Sequence, residues 1–129
     1  MVAPYTLKNL AELEDSAPKF GYGELQEARF ANEALEAERT GLSYHRVRPG
    51  KRQGFAHRHD EAEEVYVVLR GSGRVKLDDE ILELNPLDAL RVAPGVTRQF
   101  EAGPEGLELL AAGASHEGDG ELLPGWWSD

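Results

Sequence analysis

The stretch "GFAHRHDEAEEVYVVLRGSG", residues 54–73, places two histidines, His57 and His59, shortly before Glu64 and an apolar run. Successive side chains of a β-strand point to opposite faces, so residues two apart share a face. His57 and His59 therefore lie on one side of a strand. If Glu64 faces inward at the start of the next strand, Tyr66 does so too. The pattern predicts two neighbouring strands that bring two imidazoles and a carboxylate together.

The middle and the end of the chain have the pattern of an all-β protein. Short runs rich in β-branched and aromatic residues recur about every 8–12 residues, and glycine, proline, asparagine or aspartate closes them. This spacing is typical of a β-sandwich or a β-barrel. The predicted strands cover residues 42–47, 64–69, 74–77, 80–84, 89–93, 96–101 and 107–112.

The N-terminal third is less regular. Residues 10–15 predict a helical turn that ends before a proline, and residues 25–31 predict a strand. Residues 32–41 contain helix-forming residues and end in glycine, which fits either a short helix or a long hairpin loop. We therefore expect a short helical or irregular segment before the strands.

The length is that of one domain. We expect a single domain over residues 1–129, with a barrel core at about 25–113 and a C-terminal tail over 114–129. Trp126 and Trp127 are unusual for a free tail, because adjacent tryptophans need burial against the domain or a partner. We expect a homodimer, which would give them such a surface.

The composition excludes several classes of function. The formal net charge is −10, whereas nucleic-acid binding needs a basic face. The absence of cysteine excludes disulfides and thiolate metal sites. The sequence has neither a signal-peptide pattern nor an apolar run near the ~20 residues of a membrane helix, so we expect a cytoplasmic protein. One segment is locally basic, which indicates either solvated side chains or a positive rim that draws a small anion toward the histidines: Arg46, Arg48, Lys51, Arg52 and Arg58.

His57, His59 and Glu64 together form a three-ligand set for one divalent metal. Borderline nitrogen and hard oxygen ligands suit zinc, iron(II), manganese or nickel. A hydrogen-bonded polar cluster at the mouth of a barrel would explain the same three residues without a metal. His45 and His116 belong to neither arrangement, and we expect both at the surface.

The same segment resembles the first motif of the cupin superfamily, written G-x5-H-x-H-x(3,4)-E-x6-G. His57-x-His59, four residues, Glu64, six residues and Gly71 match it from the first histidine onward. The leading glycine is one position early, at Gly50. The resemblance implies a jelly-roll β-barrel of antiparallel strands and a site in its interior. It implies no particular reaction, because one fold hosts many functions.

The second cupin motif, G-x5-P-x-G-x2-H-x3-N, is matched less closely by residues 87–102. Asp88 and Gly95 fit, while Leu87 replaces the glycine of the motif. Arg98 stands where the family has its third histidine ligand. The resemblance thus implies three of the four cupin ligands and, in place of the fourth, a guanidinium that cannot bind a metal.

Arg98 leaves two arrangements open. In one, the metal is kept and Arg98 binds an anionic substrate that also touches the metal. In the other, the metal is absent and Arg98 pairs with Glu64. Three aromatic residues are further candidates for contact with a substrate: Tyr66 as a hydrogen-bonding group, and Phe55 and Phe100 as either pocket wall or core.

Three functions follow from these alternatives. The first is a metal-dependent enzyme of the isomerase, lyase, decarboxylase or dioxygenase type, which acts on a small anion. The second is a non-catalytic binding or sensor cupin without a metal. The third is a dimerising barrel with a vestigial pocket. The sequence identifies no catalytic residue.

Overall fold

The computed structural model describes residues 4–114 and 119–128. Eight strands form one sheet with antiparallel pairings, which confirms the all-β barrel expected from the sequence. None of the helices in this described part is long and apolar enough to cross a membrane. The strands are β1 (Gln26–Phe30), β2 (Thr40–Val47), β3 (Ala56–His59), β4 (Glu64–Leu77), β5 (Glu80–Leu84), β6 (Ala89–Val92), β7 (Arg98–Ala114) and β8 (Gly120–Leu123).

The helical content is small. One α-helix, α1 (Asn32–Leu35), lies between β1 and β2, and the N-terminal segment forms short 3-10 helices at Leu10–Glu12 and Pro18–Phe20. The helical turn predicted over residues 10–15 is therefore present, and of the two alternatives left open for residues 32–41 the structure has the short helix.

Strands β4 and β7 are the longest strands of the barrel, and the sequence-based prediction wrongly divided each of them into two strands. The stretches at Gly71–Gly73 and 102–106 looked like turns, but each strand continues through them with β-bulges between the two. A β-carbon on Gly73 would lie 2.0 Å from the carbonyl oxygen of Glu101. Position 73 requires glycine because the backbones of β4 and β7 approach each other closely there, and not because the chain makes a turn.

The core lies between the inner faces of these strands. Alternation along β4 and β7 directs every second side chain inward, and the enclosed side chains form one apolar cluster. Its largest fully buried members are Phe100, Leu107, Leu109, Val47, Val68, Val75 and Val92. Arg98 is also fully buried, at 0% exposure, at the end of this cluster.

The segment expected to be a tail contributes a strand. Strand β8 pairs with β3, with Gly120 opposite His59 and Leu122 opposite His57. Strand β7 pairs with the other edge of β3, where His57 lies opposite Arg98, so β8 covers the edge of β3 that faces away from β7. The expectation of a tail over 114–129 is corrected in this respect, because a sheet edge next to the histidines recruits the C-terminal segment.

Trp127 is buried against its own domain, at 4% exposure. The guanidinium of Arg52 lies 4.1 Å from the centroid of its ring and donates a hydrogen bond to its carbonyl oxygen. Trp126 packs beside the ammonium group of Lys76, 4.6 Å from the ring centroid. The tryptophan pair therefore fastens the end of the chain to the barrel.

Candidate metal centre

Strands β3 and β4 bring the three predicted ligands together. Nε2 of His57 lies 3.5 Å from Oε1 of Glu64, and Nε2 of His59 lies 3.6 Å from the same oxygen. The two imidazole rings are nearly perpendicular, with centroids 5.2 Å apart. One potential ligand atom from each residue lies within 4.8 Å of the others, so the convergence predicted from strand alternation is confirmed.

The spacing of these atoms fits one small divalent ion. Two ligands bound at about 2.1 Å in a tetrahedral arrangement are about 3.4 Å apart. The nitrogen–oxygen distances of 3.5 and 3.6 Å are close to that value. Burial lowers the pKa of His57, so its imidazole is neutral at neutral pH, as metal binding requires.

Asp119 supports the site from the C-terminal segment. Its carboxylate accepts hydrogen bonds from the backbone N–H groups of Asp60, Glu61 and Ala62, the loop between the histidines and Glu64. Desolvation alone would raise the pKa of Asp119, but these N–H groups outweigh it and hold the pKa below its usual range. Asp119 Oδ2 also lies 3.5 Å from Nδ1 of His59. Sequence reasoning missed this residue, because only the pairing of β8 with β3 brings it near the histidines.

Arg98 points into the barrel and reaches Glu64, one of the two partners that the sequence left open for it. Its Nη2 donates to Oε1 of Glu64 at 2.8 Å, and its Nε donates to the hydroxyl of Tyr66 at 3.1 Å. Its Nη1 donates to the carbonyl oxygen of Val96 at 2.9 Å. Strand alternation along β7 turns Arg98 inward with Phe100, and Glu64 compensates its charge.

The same network fixes the charge of Glu64. Tyr66 donates to Oε1 of Glu64, and its oxygen lies 3.3 Å from Nε2 of His57. Burial would raise the pKa of Glu64, but the nearby imidazoles of His57 and His59 and the hydrogen bonds from Tyr66 and Arg98 together hold it well below its usual range. The carboxylate is therefore ionised at neutral pH and available as a ligand.

A cavity of about 180 Å³ opens beside the cluster. Its wall includes His59, Glu64 and Asp119 from the site, and Asn32 and Ser43 from the side of β2. Small residues leave room for it. They are Gly41, Ala111, Gly113 and Ala114.

The four predicted substrate contacts do not line this cavity. Phe100 is a core residue at 1% exposure, and Arg98 and Tyr66 are buried within the hydrogen-bond network. Phe55 packs against Tyr22, with ring centroids 5.3 Å apart. Strand alternation turned three of these side chains inward as expected, but the interior at that level is filled by the core. Their contact with a substrate stays a prediction that this cavity does not support.

His45 is half-buried and not a fully exposed surface residue. It shares a face of β2 with Ser43 and with Val47, which is fully buried. Its Nε2 lies 2.7 Å from the hydroxyl oxygen of Ser43, and burial lowers its pKa to about 4. The expectation failed because the strand face was not assigned from the sequence. His116 lies outside the described residues.

The basic segment does not form a positive rim at the cavity. Arg46 and Arg48 lie within 3.8 Å of Glu27, and the described lining of the cavity contains neither of them. Two further arginines pair with acidic residues on neighbouring strands, Arg52 with Glu101 and Arg58 with Glu121. The basic side chains are close together in the sequence but not in the structure, because alternate residues of a strand point to different faces.

The family assignment rests on the sequence of the barrel. The model of the cupin domain family matches residues 43–113, which is more than half of the chain. The chain is a cupin. No curated protein matches this cupin significantly.

Solved structures similar to this cupin share its fold. A cupin protein from Bacteroides fragilis is 23% identical, with a TM-score of 0.72 over 91% of this chain and 89% of that chain. The polyketide cyclase RemF from Streptomyces resistomycificus is 20% identical, with a TM-score of 0.75 over 96% of this chain and 87% of that chain. A sugar phosphate isomerase from Silicibacter pomeroyi is 16% identical, with a TM-score of 0.66 over 78% of this chain and 77% of that chain. At such identities the likeness establishes the barrel and no activity.

Proposed function

We propose that this cupin binds one divalent metal through His57, His59 and Glu64 and acts on a small anionic molecule in the adjacent cavity. The observation that carries the proposal is the spacing of the ligand atoms, 3.5 and 3.6 Å between the imidazole nitrogens and the carboxylate oxygen. Zinc, iron(II), manganese and nickel all accept this set of ligands.

Arg98 and a metal are compatible in this arrangement. A dication next to a bare guanidinium would be repelled by several kcal/mol, about 8 kcal/mol at 4 Å and an effective dielectric near 20. Here the carboxylate of Glu64 accepts a hydrogen bond from Arg98 at 2.8 Å and faces the two histidines. Glu64 would therefore lie between the two positive charges, and Arg98 would orient a metal ligand instead of replacing one.

The cavity restricts the ligand to a small molecule. Its volume of about 180 Å³ is below the range of pockets that bind drug-sized ligands. A bound metal would supply positive charge to attract an anion and to polarise its oxygen atoms. Arg98 and Tyr66 would hold Glu64 in place, and Asp119 would hold His59. The names of the similar structures, a cyclase and an isomerase, favour an enzyme of the isomerase, lyase, decarboxylase or dioxygenase type.

Elemental analysis and metal titration of purified protein test the proposal. We expect one metal ion per chain in the wild type and strong loss of affinity in the His57→Ala, His59→Ala double variant and in Glu64→Gln. Glu63→Gln is the matched control, because Glu63 is the neighbouring glutamate and its side chain is 58% exposed. Wild-type protein that binds none of the four metals, or a double variant that keeps its metal, would show the proposal to be wrong.

A second candidate function is a metal-free binding or sensor cupin. The hydrogen bond of Arg98 to Glu64, made by a guanidinium with 0% exposure, favours it. A pair of this kind neutralises Glu64 without a metal. In that case the wild type contains no metal, and small acids bind with the same affinity before and after treatment with a chelator.

A further inference from the structure

Strand β2 carries a polar pair that the proposed metal centre does not use. The hydroxyl oxygen of Ser43 lies 2.7 Å from Nε2 of His45, and Ser43 forms part of the cavity wall at 8% exposure. Nδ1 of His45 is buried and has no hydrogen-bond partner within the described residues. A buried polar atom without a hydrogen-bond partner beside a cavity needs an explanation.

The unpaired nitrogen indicates which tautomer His45 adopts. A neutral imidazole carries one proton, on Nδ1 or on Nε2. A proton on Nδ1 would leave a buried N–H donor without an acceptor, and orphaned buried donors are rarer than under-used acceptors. The proton therefore belongs on Nε2, from which His45 donates to the oxygen of Ser43. The hydroxyl proton of Ser43 is then left to be donated elsewhere.

Asn32 presents a second donor to the same cavity. Its Oδ1 accepts a hydrogen bond from the backbone N–H of Leu42 at 2.8 Å, which fixes the orientation of the amide. Its Nδ2 group therefore keeps its two protons, and it has no hydrogen-bond partner in the described part of the chain. Asn32 and Ser43 both line the cavity, whose site-side wall contains the carboxylates of Glu64 and Asp119.

From this geometry we infer that Ser43 and Asn32 are the ligand-recognition residues of the cavity and that they donate hydrogen bonds to the oxygen atoms of a small carboxylate. His45 is a positioning residue, which orients the hydroxyl of Ser43 by occupying its lone pair. The inference rests on the proposed function, because the metal supplies the positive charge that offsets Glu64 and Asp119. It assigns anion recognition to the β2 side of the cavity instead of to Arg98.

The test measures binding of acetate, a minimal carboxylate, to zinc-loaded and zinc-free protein by NMR titration. Ser43→Ala removes one donor, and Ser43→Thr retains a hydroxyl. Asn32→Asp keeps the acceptor for Leu42 but replaces the amide donor by a carboxylate. Asn85→Asp is the matched control, since it makes the same change of charge at an asparagine outside the lining of this cavity.

We expect Ser43→Ala and Asn32→Asp each to weaken acetate binding about tenfold or more, the effect of one hydrogen bond to a charged group. The zinc affinity of these two variants should remain within about twofold of the wild type. The acetate affinity of Ser43→Thr and of Asn85→Asp should also remain within about twofold of the wild type. Unchanged acetate affinity in both loss variants, or no acetate binding to either form of the wild type, would overturn the inference. Failure to bind any of the four metals would overturn the proposed function alone, and acetate binding to metal-free protein that Ser43→Ala abolishes would still support the inference.

The tautomer of His45 is an independent readout. Long-range proton–nitrogen NMR correlations distinguish a protonated Nε2 from a protonated Nδ1 in the wild type, with or without zinc. We expect the proton on Nε2, and a proton on Nδ1 would overturn the role given to His45. Ser43→Ala should shift the Nε2 resonance of His45, a response that loss of stability alone would not cause.

Discussion

At the scale of single residues, Arg98 determines how charge is compensated in the interior of this cupin. It is a cation with 0% exposure whose charge is compensated by Glu64 at 2.8 Å. Removal of one partner from a buried ion pair leaves the other as an uncompensated charge, and it costs much more than the pair itself contributes. The free energy of unfolding should therefore fall more when Arg98 alone is truncated than when Arg98 and Glu64 are both replaced by uncharged residues.

We predict that Arg98→Ala lowers the free energy of unfolding by about 3 kcal/mol. Arg91→Ala is the matched control, because Arg91 also pairs with a glutamate but its side chain is 63% exposed, and it should cost under about 1 kcal/mol. Urea denaturation of metal-free protein measures both. Equal effects of the two variants would contradict the prediction, and a double variant Arg98→Met, Glu64→Gln should recover part of the loss.

At the scale of elements, the glycines of the long strand β4 fix how it pairs with β7. Gly71 has a φ angle of +77°, and a β-carbon there would lie 2.0 Å from the carbonyl oxygen of Gly106. Gly50 has a similar φ of +71° in an open turn, with no atom within 4 Å of its β-carbon position. The two positions share a backbone conformation and differ in steric room.

This pair allows steric and conformational costs to be measured separately. Gly50→Ala should cost about 1–2 kcal/mol, the price of a left-handed conformation for an L-residue. Gly71→Ala should cost at least about 2 kcal/mol more, because β4 must move away from β7. Thermal and chemical denaturation provide the comparison. Similar costs for the two variants would mean that the strands separate here without difficulty.

At the scale of the whole molecule, buried titratable groups make stability depend on pH. Burial lowers the pKa of His45 to about 4 and also lowers that of His57, whereas unfolded histidines titrate near about 6.5. The unfolded chain therefore binds more protons below about pH 6.5, and the free energy of unfolding falls as the pH decreases. Glu64, whose pKa is also lowered, adds a loss below the unfolded carboxylate range near about 4.3.

We predict that metal-free protein loses stability from about pH 6.5 downward, with a slope approaching 1.4 kcal/mol per pH unit for each histidine. His45→Phe should remove the part of that pH dependence of stability that comes from His45. Denaturation curves at a series of pH values measure it. A profile that stays flat until the pH reaches the carboxylate range would show that neither histidine is held neutral by the fold.

The homodimer expected from the sequence stays a prediction. Trp127 is already buried within its own domain, so the apolar surface for a partner must come from other side chains. Candidates include Leu87 and Leu122, which are 80% and 60% exposed. Sedimentation velocity over a range of concentrations should give a dimeric mass, and a monomer at the highest concentration would refute the expectation.

The sequence by itself determined the barrel and its three convergent ligands. Alternation within a strand is a local property, so it placed His57 and His59 on one face. The resemblance to the second cupin motif placed Arg98 at the site and left Glu64 and an anion open as its partner. The regular spacing of turn residues indicated an all-β protein for the same reason. These features needed no knowledge of which distant strands pair.

Only the tertiary structure decided what surrounds the ligands. Asp119 reaches the loop before Glu64 because β8 pairs with β3, a contact between segments that are far apart in sequence. The face of β2 that holds Ser43 and His45 depends on its register with β1 and β7. Long-range pairing is set by the packing of the whole core, because a shift of one residue would reverse every side chain of a strand.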